Sequence, residues 1–149
     1  MSLKVGIVGL GIMGGSFAKN LRDTNFEVCG FDIIDANVQK LIDLGGEAEV
    51  SPKDVAIQSD IVITSLPSIS AFHEVMSGKD SLKDANKSGL IIIECSTLPI
   101  DEKQAAYDAL TETGSILMDC PISGTGAQAI NKDLSVYVSG DKATLDKCQ

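Results

Sequence analysis

Residues 4–17, KVGIVGLGIMGGSF, contain the spacing Gly9-x-Gly11-x-x-Gly14 at the junction of two different sequence patterns. The Val/Ile-rich run before these glycines predicts a buried strand. The residues after them, 12–22, carry apolar side chains at the four-residue spacing of a helix. A strand that turns tightly into a helix begins a β-α unit, so this stretch predicts an α/β fold.

Each glycine of this turn has a separate physical reason to be glycine. Gly9 permits a tight turn, Gly11 lets another group approach the backbone closely, and Gly14 lets the helix pack against the strand. Because a helix N-terminus carries unpaired N–H groups and positive potential, the turn predicts a site for the pyrophosphate of a dinucleotide. The backbone amides expected to face it belong to Leu10, Gly11, Ile12 and Met13.

A carboxylate follows the second predicted strand at the distance that dinucleotide-binding folds use. Asp32 lies 18 positions after Gly14, close to the ~20 typical of an acid that accepts from the adenosine ribose. The same charge repels a 2′-phosphate, and no Lys or Arg occurs between Asp32 and Gln39. The sequence therefore predicts NAD as the cofactor, and NADP is disfavoured.

The remaining chain alternates short apolar runs with helical patterns. The predicted strands are residues 4–8, 27–31, 60–64, 90–94, 115–118 and 134–139, with a short seventh at 48–50. The predicted helices include 12–22, 37–44, one opening at Ser51-Pro52, and 100–113. We predict an α/β, Rossmann-type doubly wound fold, with a mostly parallel sheet and helices on both faces, over residues 1–149.

Composition and charge exclude several classes of function. The 149 residues carry a net charge of −9, which disfavours nucleic acid and anionic lipid as partners. No apolar run approaches a membrane span, and the N-terminus does not resemble a signal peptide, so a cytoplasmic protein is expected. The four cysteines form no metal-binding spacing and His73 is the only histidine, so no metal site is predicted. Cys29 and Cys95 are expected to be buried.

Three predicted strands are followed by loops of similar composition. These are SLPS at 65–68, CSTLP at 95–99 and DCPISG at 119–124, each with a proline and small hydroxyl residues. Because the carboxyl ends of parallel strands meet at one edge of a sheet, the loops are expected to line one cleft. Their hydroxyls and amides can bond a nicotinamide ribose or carboxamide.

Together these motifs resemble the β-hydroxyacid dehydrogenase family, which includes 3-hydroxyisobutyrate dehydrogenase and 6-phosphogluconate dehydrogenase. The resemblance covers the glycine turn, the Leu66-Pro67 pair, Ser96-Thr97 before Pro99, and the stretch DCPISGTGAQA at 119–129. It implies that Leu66 and Pro67 line the cofactor groove and that Thr97, with Ser96, reaches the nicotinamide.

The resemblance also implies a substrate site. Ser123 and Gly124 would hold the carboxylate of a small hydroxy acid, although this chain has Gly124-Thr125 where relatives commonly have two glycines. No catalytic residue is predicted within the chain, because the family's lysine lies in a later domain, beyond Gln149. That helical domain, which contributes to substrate binding and dimer formation, is absent here, and the resemblance implies a homo-oligomer for the intact protein.

The function expected from these features is that of the cofactor domain of an oxidoreductase, moving hydride between NAD and a small β-hydroxy acid. The isolated domain is expected to be inactive. Two alternatives remain open: a non-catalytic NAD-binding or interaction module, and a relative of the imine reductases. Asp32 weighs against the imine reductases, since those enzymes usually prefer NADPH.

Overall fold

The computed structural model describes residues 2–149, whose main sheet is parallel and covered by helices on both faces. Its strands are β1 (Lys4–Val8), β2 (Glu27–Phe31), β3 (Glu47–Ala48), β4 (Ile61–Thr64), β5 (Ile91–Glu94) and β6 (Ile116–Asp119). Their spatial order is β3-β2-β1-β4-β5-β6, and every neighbouring pair is parallel. The predicted doubly wound α/β fold is confirmed.

The helices of the described chain alternate with these strands. They are α1 (Ile12–Asp23), α2 (Asp35–Asp43), α3 (Pro52–Gln58), α4 (Ile69–Ser77), α5 (Ile100–Thr111), α6 (Gly126–Ile130) and α7 (Lys142–Cys148), with a 3-10 turn at Lys83–Ala85. The predicted starts at Ile12, Pro52 and Ile100 are confirmed. Ser51 caps α3 by accepting the Asp54 amide at 3.1 Å, and α2 ends before Gly45, whose φ is +78°.

Successive residues of β1 point to opposite faces, so two separate cores form. Ile7 packs with Ala18 of α1 and Leu41 of α2 on one face. Val8 faces the core built with α3, α4 and α5, which includes Phe72 and Leu110. Burial on both faces explains the continuous apolar character of the strands. None of the helices in residues 2–149 is both long enough and apolar enough to cross a lipid bilayer.

The strand predicted at residues 134–139 is not a parallel strand of the main sheet. Ser135–Val136 (β8) pairs antiparallel with Ile122–Ser123 (β7), and Ser139 forms a single antiparallel bridge with Asp119, the last residue of β6. The prediction of a buried parallel strand was therefore wrong. Residues 135–139 are exposed, so they lack the burial on both faces that parallel strands have. The short strand predicted at 48–50 lies slightly earlier, as β3.

The cysteines follow the prediction for Cys29 and Cys95. Both are buried, as is Cys120, and all four cysteines are free thiols. Burial raises the pKa of Cys95 to about 12 and that of Cys120 to about 11, so neither thiol is ionised at neutral pH. These side chains act as small apolar groups of the core.

Candidate functional site

The chain leaves β1 at the point where the strand order reverses. After β1 the chain builds β2 and β3 on one side, and it then returns to place β4 on the other side of β1. In open α/β sheets a crevice forms at this switch point, outside the carboxyl ends of the strands. The glycine turn lies there, because it directly follows β1.

Two of the turn glycines have no room for a side chain. Gly9 has a φ of +91°, and a Cβ there would lie 2.2 Å from the Ser65 carbonyl oxygen. A Cβ on Gly14 would lie 1.7 Å from the carbonyl oxygen of Gly9. Around Gly11, in contrast, no protein atom of the described chain lies within 4 Å of an added Cβ. The turn therefore packs tightly against neighbouring backbone atoms at Gly9 and Gly14, whereas Gly11 leaves space for another molecule.

The start of α1 differs from the starts of the other helices. Helices α3, α4, α6 and α7 each begin at a residue whose side chain accepts a first-turn amide, namely Ser51, Ser68, Thr125 and Asp141. Helices α2 and α5 lack such a cap but carry acidic residues in the first turn. Among the helices in residues 2–149, α1 alone has neither, so its first-turn amides can bind an external anion.

Asp32 is fixed by contacts to two loops. Its Oδ2 accepts the backbone amide of Leu10 at 2.7 Å, and its Oδ1 accepts that of Ile34 at 2.8 Å. The expectation that the Leu10 amide faces the phosphates is therefore wrong, since that amide is bonded to Asp32. Leu10 is also buried, with 3% of its surface exposed. The placement of Asp32 beside the glycine turn agrees with its predicted role.

The surface next to Asp32 is apolar. Ile33 is 88% exposed and Ile34 is 55% exposed, an uncommon degree for isoleucine. A cavity of about 700 Å³ begins at the glycine turn and extends between α1 and α2. Its lining includes Leu10, Gly11, Ile12, Asn37, Lys40 and Leu41. The crevice at the strand ends and this groove therefore meet at the first turn of α1.

The two loops after β4 and β5 are joined by one hydrogen bond. The Ser96 hydroxyl accepts the Leu66 amide at 2.8 Å, and Ser96 is 4% exposed. Its side chain therefore supports the Leu66 loop from below. Pro67 and Thr97, the next residues of the two loops, are exposed at the same edge. Of the four residues predicted here, Pro67 and Thr97 are exposed, Leu66 is partly buried and Ser96 is buried.

A buried carboxylate lies beneath the same loops and was not assigned a role from the sequence. Glu94, the last residue of β5, has no exposed surface. It accepts the Ser96 amide at 2.5 Å and the hydroxyl of Thr64. Burial raises the pKa of Glu94, although these hydrogen bonds oppose that shift. The strand register pairs Thr64 with Glu94, so a correct alignment of β4 and β5 would have revealed this contact.

A buried lysine was also missed. Lys103 is 8% exposed, and its Nζ donates to the Ser96 carbonyl at 2.6 Å and to Asp119 at 2.5 Å. The available signal was its helical position, because Lys103 shares the buried face of α5 with Ala106 and Leu110. A lysine on an apolar face needs polar partners, which here come from the loop after β5 and the end of β6.

The predicted substrate loop leaves β6 and folds over α1. Ser123 is exposed, and Gly124 has a φ of +149° with Leu134 Cδ2 2.3 Å from an added Cβ. Thr125 forms a reciprocal capping box with Gln128 at the start of α6. The departure from two glycines thus has a local reason, because Thr125 begins a helix.

Helix α6 brings the substrate loop against the helix that starts at the glycine turn. Asn20 of α1 donates its side-chain amide to the Ala129 carbonyl at 2.9 Å. A Cβ on Gly126 would lie 2.5 Å from the Ile12 side chain, so the two helices meet closely there. The glycine turn and the loop that carries Ser123 are therefore held on one side of the molecule.

His73 lies outside this arrangement. It is on α4, where its ring bonds Glu102 of α5 at 2.5 Å, and its side chain is 47% exposed. Within residues 2–149, no group of three or more His, Cys, Asp or Glu side chains is arranged to hold a metal ion.

The geometry fits a dinucleotide, and comparisons with known proteins agree. Residues 4–149 match the family model described as the NAD binding domain of 6-phosphogluconate dehydrogenase. The chain is 32% identical over 148 residues to 2-(hydroxymethyl)glutarate dehydrogenase of Eubacterium barkeri, covering 99% of this chain and 49% of that protein. It is 32% identical over 137 residues to the mitochondrial 3-hydroxyisobutyrate dehydrogenase of Bos taurus, covering 91% of this chain and 40% of that protein.

A solved structure shares the fold over the whole chain. The 3-hydroxyisobutyrate dehydrogenase of Mycobacterium tuberculosis, solved with L-serine, superposes with a TM-score of 0.92 at 25% sequence identity. The alignment covers 100% of this chain and 50% of that one. The chain thus spans about half the length of these relatives or less. It belongs to the family described as the NAD binding domain of 6-phosphogluconate dehydrogenase, and it is similar to the matching part of 3-hydroxyisobutyrate dehydrogenases.

Proposed function

We propose that this chain is the NAD-binding part of a dehydrogenase that transfers hydride between NAD and a small β-hydroxy acid. The observation that supports it best is the first turn of α1, uncapped and open at Gly11, with Asp32 fixed beside it. The pyrophosphate is held by the amides of Gly11, Ile12 and Met13. The closed contacts at Gly9 and Gly14 keep this turn in shape before any ligand binds.

NAD is preferred over NADP because of the charge at the end of β2. Asp32 accepts from the adenosine ribose hydroxyls and repels a phosphate at the same position. The adjacent exposed residues, Ile33 and Ile34, supply apolar contact and no cation. A 2′-phosphate there would face the Asp32 carboxylate, and neither Ile33 nor Ile34 supplies a compensating charge.

The nicotinamide half extends toward the loops after β4 and β5. Leu66 and Pro67 line one side, and the exposed Thr97 provides a hydroxyl for the nicotinamide end. Ser96 acts beneath them, because its hydroxyl already accepts the Leu66 amide. When bound, the cofactor supplies the redox chemistry, namely acceptance or donation of a hydride.

Ser123 and the Gly124 amide bind the substrate carboxylate at the neighbouring loop. They orient the hydroxyl-bearing carbon toward the nicotinamide, and such positioning contributes much of the rate in enzymes of this kind. Oxidation of an alcohol also needs a base for the hydroxyl proton, which in this family would be a lysine from a second, helical domain. The proposal for the whole protein therefore includes this second domain and a homo-oligomeric assembly.

Calorimetric titration of this chain with NAD and with NADP tests the cofactor part. We expect NAD to bind at least roughly tenfold more tightly, a difference of ~1.4 kcal/mol. Equal affinities would reject the role of Asp32, and no binding of either would reject the proposal.

Turnover separates the dehydrogenase from a non-catalytic NAD-binding module. The full-length protein should reduce NAD with at least one acid among 3-hydroxyisobutyrate, D-glycerate and related compounds. A protein that binds NAD but turns over none of them would instead be a binding module. An imine reductase would act on imines and prefer NADPH.

A further inference from the structure

One buried lysine connects the two loops that carry the proposed nicotinamide and substrate contacts. Lys103 donates to the carbonyl of Ser96, in the loop after β5, and to the carboxylate of Asp119, at the end of β6. Its side chain is 9% exposed, whereas that of Asp119 is 41% exposed. An ammonium group is expensive to bury without partners, and these two contacts supply them.

Ser96 is held at every polar group that the structure describes. Its amide donates to Glu94 at 2.5 Å, its hydroxyl accepts the Leu66 amide at 2.8 Å, and its carbonyl accepts from Lys103 at 2.6 Å. The next residue, Thr97, is exposed. The direction of the chain at Thr97 therefore depends on the contacts of Ser96, its buried neighbour. Among these, the hydrogen bond from Lys103 is the contact made by a helix, α5.

The other end of the lysine contact fixes the start of the substrate loop. The backbone of Asp119 bridges to Ser139 through two hydrogen bonds of 2.9 and 2.8 Å. The next amide, that of Cys120, donates to the Glu94 carbonyl at 2.8 Å. Ser123 follows shortly after in the same loop, so its position is set from this anchored segment.

We propose that Lys103 is a positioning residue, which sets Thr97 and Ser123 relative to each other without touching cofactor or substrate itself. This inference rests on the proposed function, because it assigns those two residues to the nicotinamide and to the substrate. Removing the ammonium leaves the Ser96 carbonyl and the Asp119 carboxylate unpaired. The glycine turn and Asp32 make no described contact with Lys103, so the adenosine half of the site remains intact.

Calorimetry with two ligands separates positioning from a general loss of structure. The 149-residue chain and its Lys103→Met and Lys103→Arg variants are titrated with NAD and with ADP-ribose, which lacks the nicotinamide ring. Lys83→Met is the matched control, since Lys83 forms an ion pair with Glu112 on the surface. Circular dichroism records whether each variant is folded.

We expect Lys103→Met to bind NAD roughly tenfold more weakly and ADP-ribose within about twofold of the wild type. Lys103→Arg should recover part of the NAD affinity, and Lys83→Met should change neither. Unchanged NAD affinity in Lys103→Met, or an equal loss for both ligands, would overturn the inference. A wild-type chain that binds neither ligand would instead reject the proposed function and the inference with it.

If Lys103→Met does not fold, Asp119→Asn tests the same contact from its more exposed end. It should show the same selective loss of NAD affinity. An Asp119→Asn variant with wild-type NAD affinity, or with equal losses for NAD and ADP-ribose, would overturn the inference.

Discussion

Asp32 uses its two oxygens to join two loops and remains half-buried at their junction. The Leu10 amide and the Ile34 amide bind different oxygens of the carboxylate, so it is held before any ligand binds. A ligand-binding group that is already ordered loses little conformational entropy on binding. The same residue therefore joins the two loops and is the proposed hydrogen-bond acceptor for the adenosine ribose hydroxyls.

Replacing Asp32 by asparagine keeps the side chain's size and removes its charge. We expect Asp32→Asn to bind NAD roughly tenfold more weakly, because charged hydrogen bonds are stronger than neutral ones. NADP affinity should stay equal or rise, so the preference for NAD narrows in calorimetric titrations. Asp35→Asn, at the exposed start of α2, is the control. A variant with an unchanged NAD-to-NADP ratio would contradict the assignment.

The buried carboxyl of Glu94 should make the free energy of unfolding of the chain depend on pH. Burial raises its pKa in the folded chain above the value in the unfolded chain, so the folded state favours the protonated form. The contribution of Glu94 to stability is thus fully present below the unfolded value, about 4.3, and is lost as pH rises through the folded value. Glutamine does not titrate and avoids this loss.

Urea unfolding of wild type and Glu94→Gln at about pH 4 and about pH 7 measures this effect. The free energy of unfolding of the variant, relative to wild type, should be higher at the upper pH. Glu74→Gln, on the exposed face of α4, is the control and should show no such rise. A relative stability of Glu94→Gln that falls with pH would show that the carboxylate is stabilised as an anion.

At the scale of elements, α1 differs from the other helices in the described part of the chain because its first-turn amides have neither a capping side chain nor a nearby acidic residue of the same turn. Its N-cap residue, Gly11, has no side chain, and no acidic residue follows in the first turn. No capping side chain and no acidic residue of the first turn therefore compensates the positive potential at that end. Neighbouring helices of the same sheet satisfy their first turns with their own side chains or carry acids there, so the difference is specific to the turn after β1.

Alanine substitutions at two glycines of this turn should affect different properties, namely stability at Gly14 and NAD binding at Gly11. Gly14→Ala places a Cβ against the Gly9 carbonyl and should lower the free energy of unfolding by roughly 2 kcal/mol or more. Gly11→Ala meets open space and should leave stability within about 0.5 kcal/mol while weakening NAD binding at least roughly tenfold. Urea unfolding and calorimetry measure the two effects. Gly11→Ala with wild-type NAD affinity would show that the pyrophosphate lies elsewhere.

At the scale of the molecule, the main sheet could be predicted because its signals are local. Short apolar runs rich in Val and Ile locate β1, β2, β4, β5 and β6 within a residue or so. Residues 134–139 also carry a strand pattern, but their partner is Ile122–Ser123, and no local signal names that partner. Choice of sheet depends on pairings between distant residues, which periodicity does not encode.

The same dependence on distant pairings explains which parts of the site could be predicted from the sequence and which could not. The glycine turn and Asp32 were found because their spacing within one β-α-β unit carries the information. The contacts of Glu94 with Thr64 and of Lys103 with Asp119 depend on strand register and on which helix face is buried. Each of those residues looks ordinary in its own segment. The polar support beneath the loops was therefore visible only in the folded chain.

The most direct test of the account is amide NMR of this chain titrated with NAD. The largest chemical-shift changes should occur at Gly11, Ile12 and Met13 and around Asp32, with smaller changes near Thr97. Largest changes in the α4–α5 region around His73, with the glycine turn unaffected, would contradict the assignment of this turn as the pyrophosphate site.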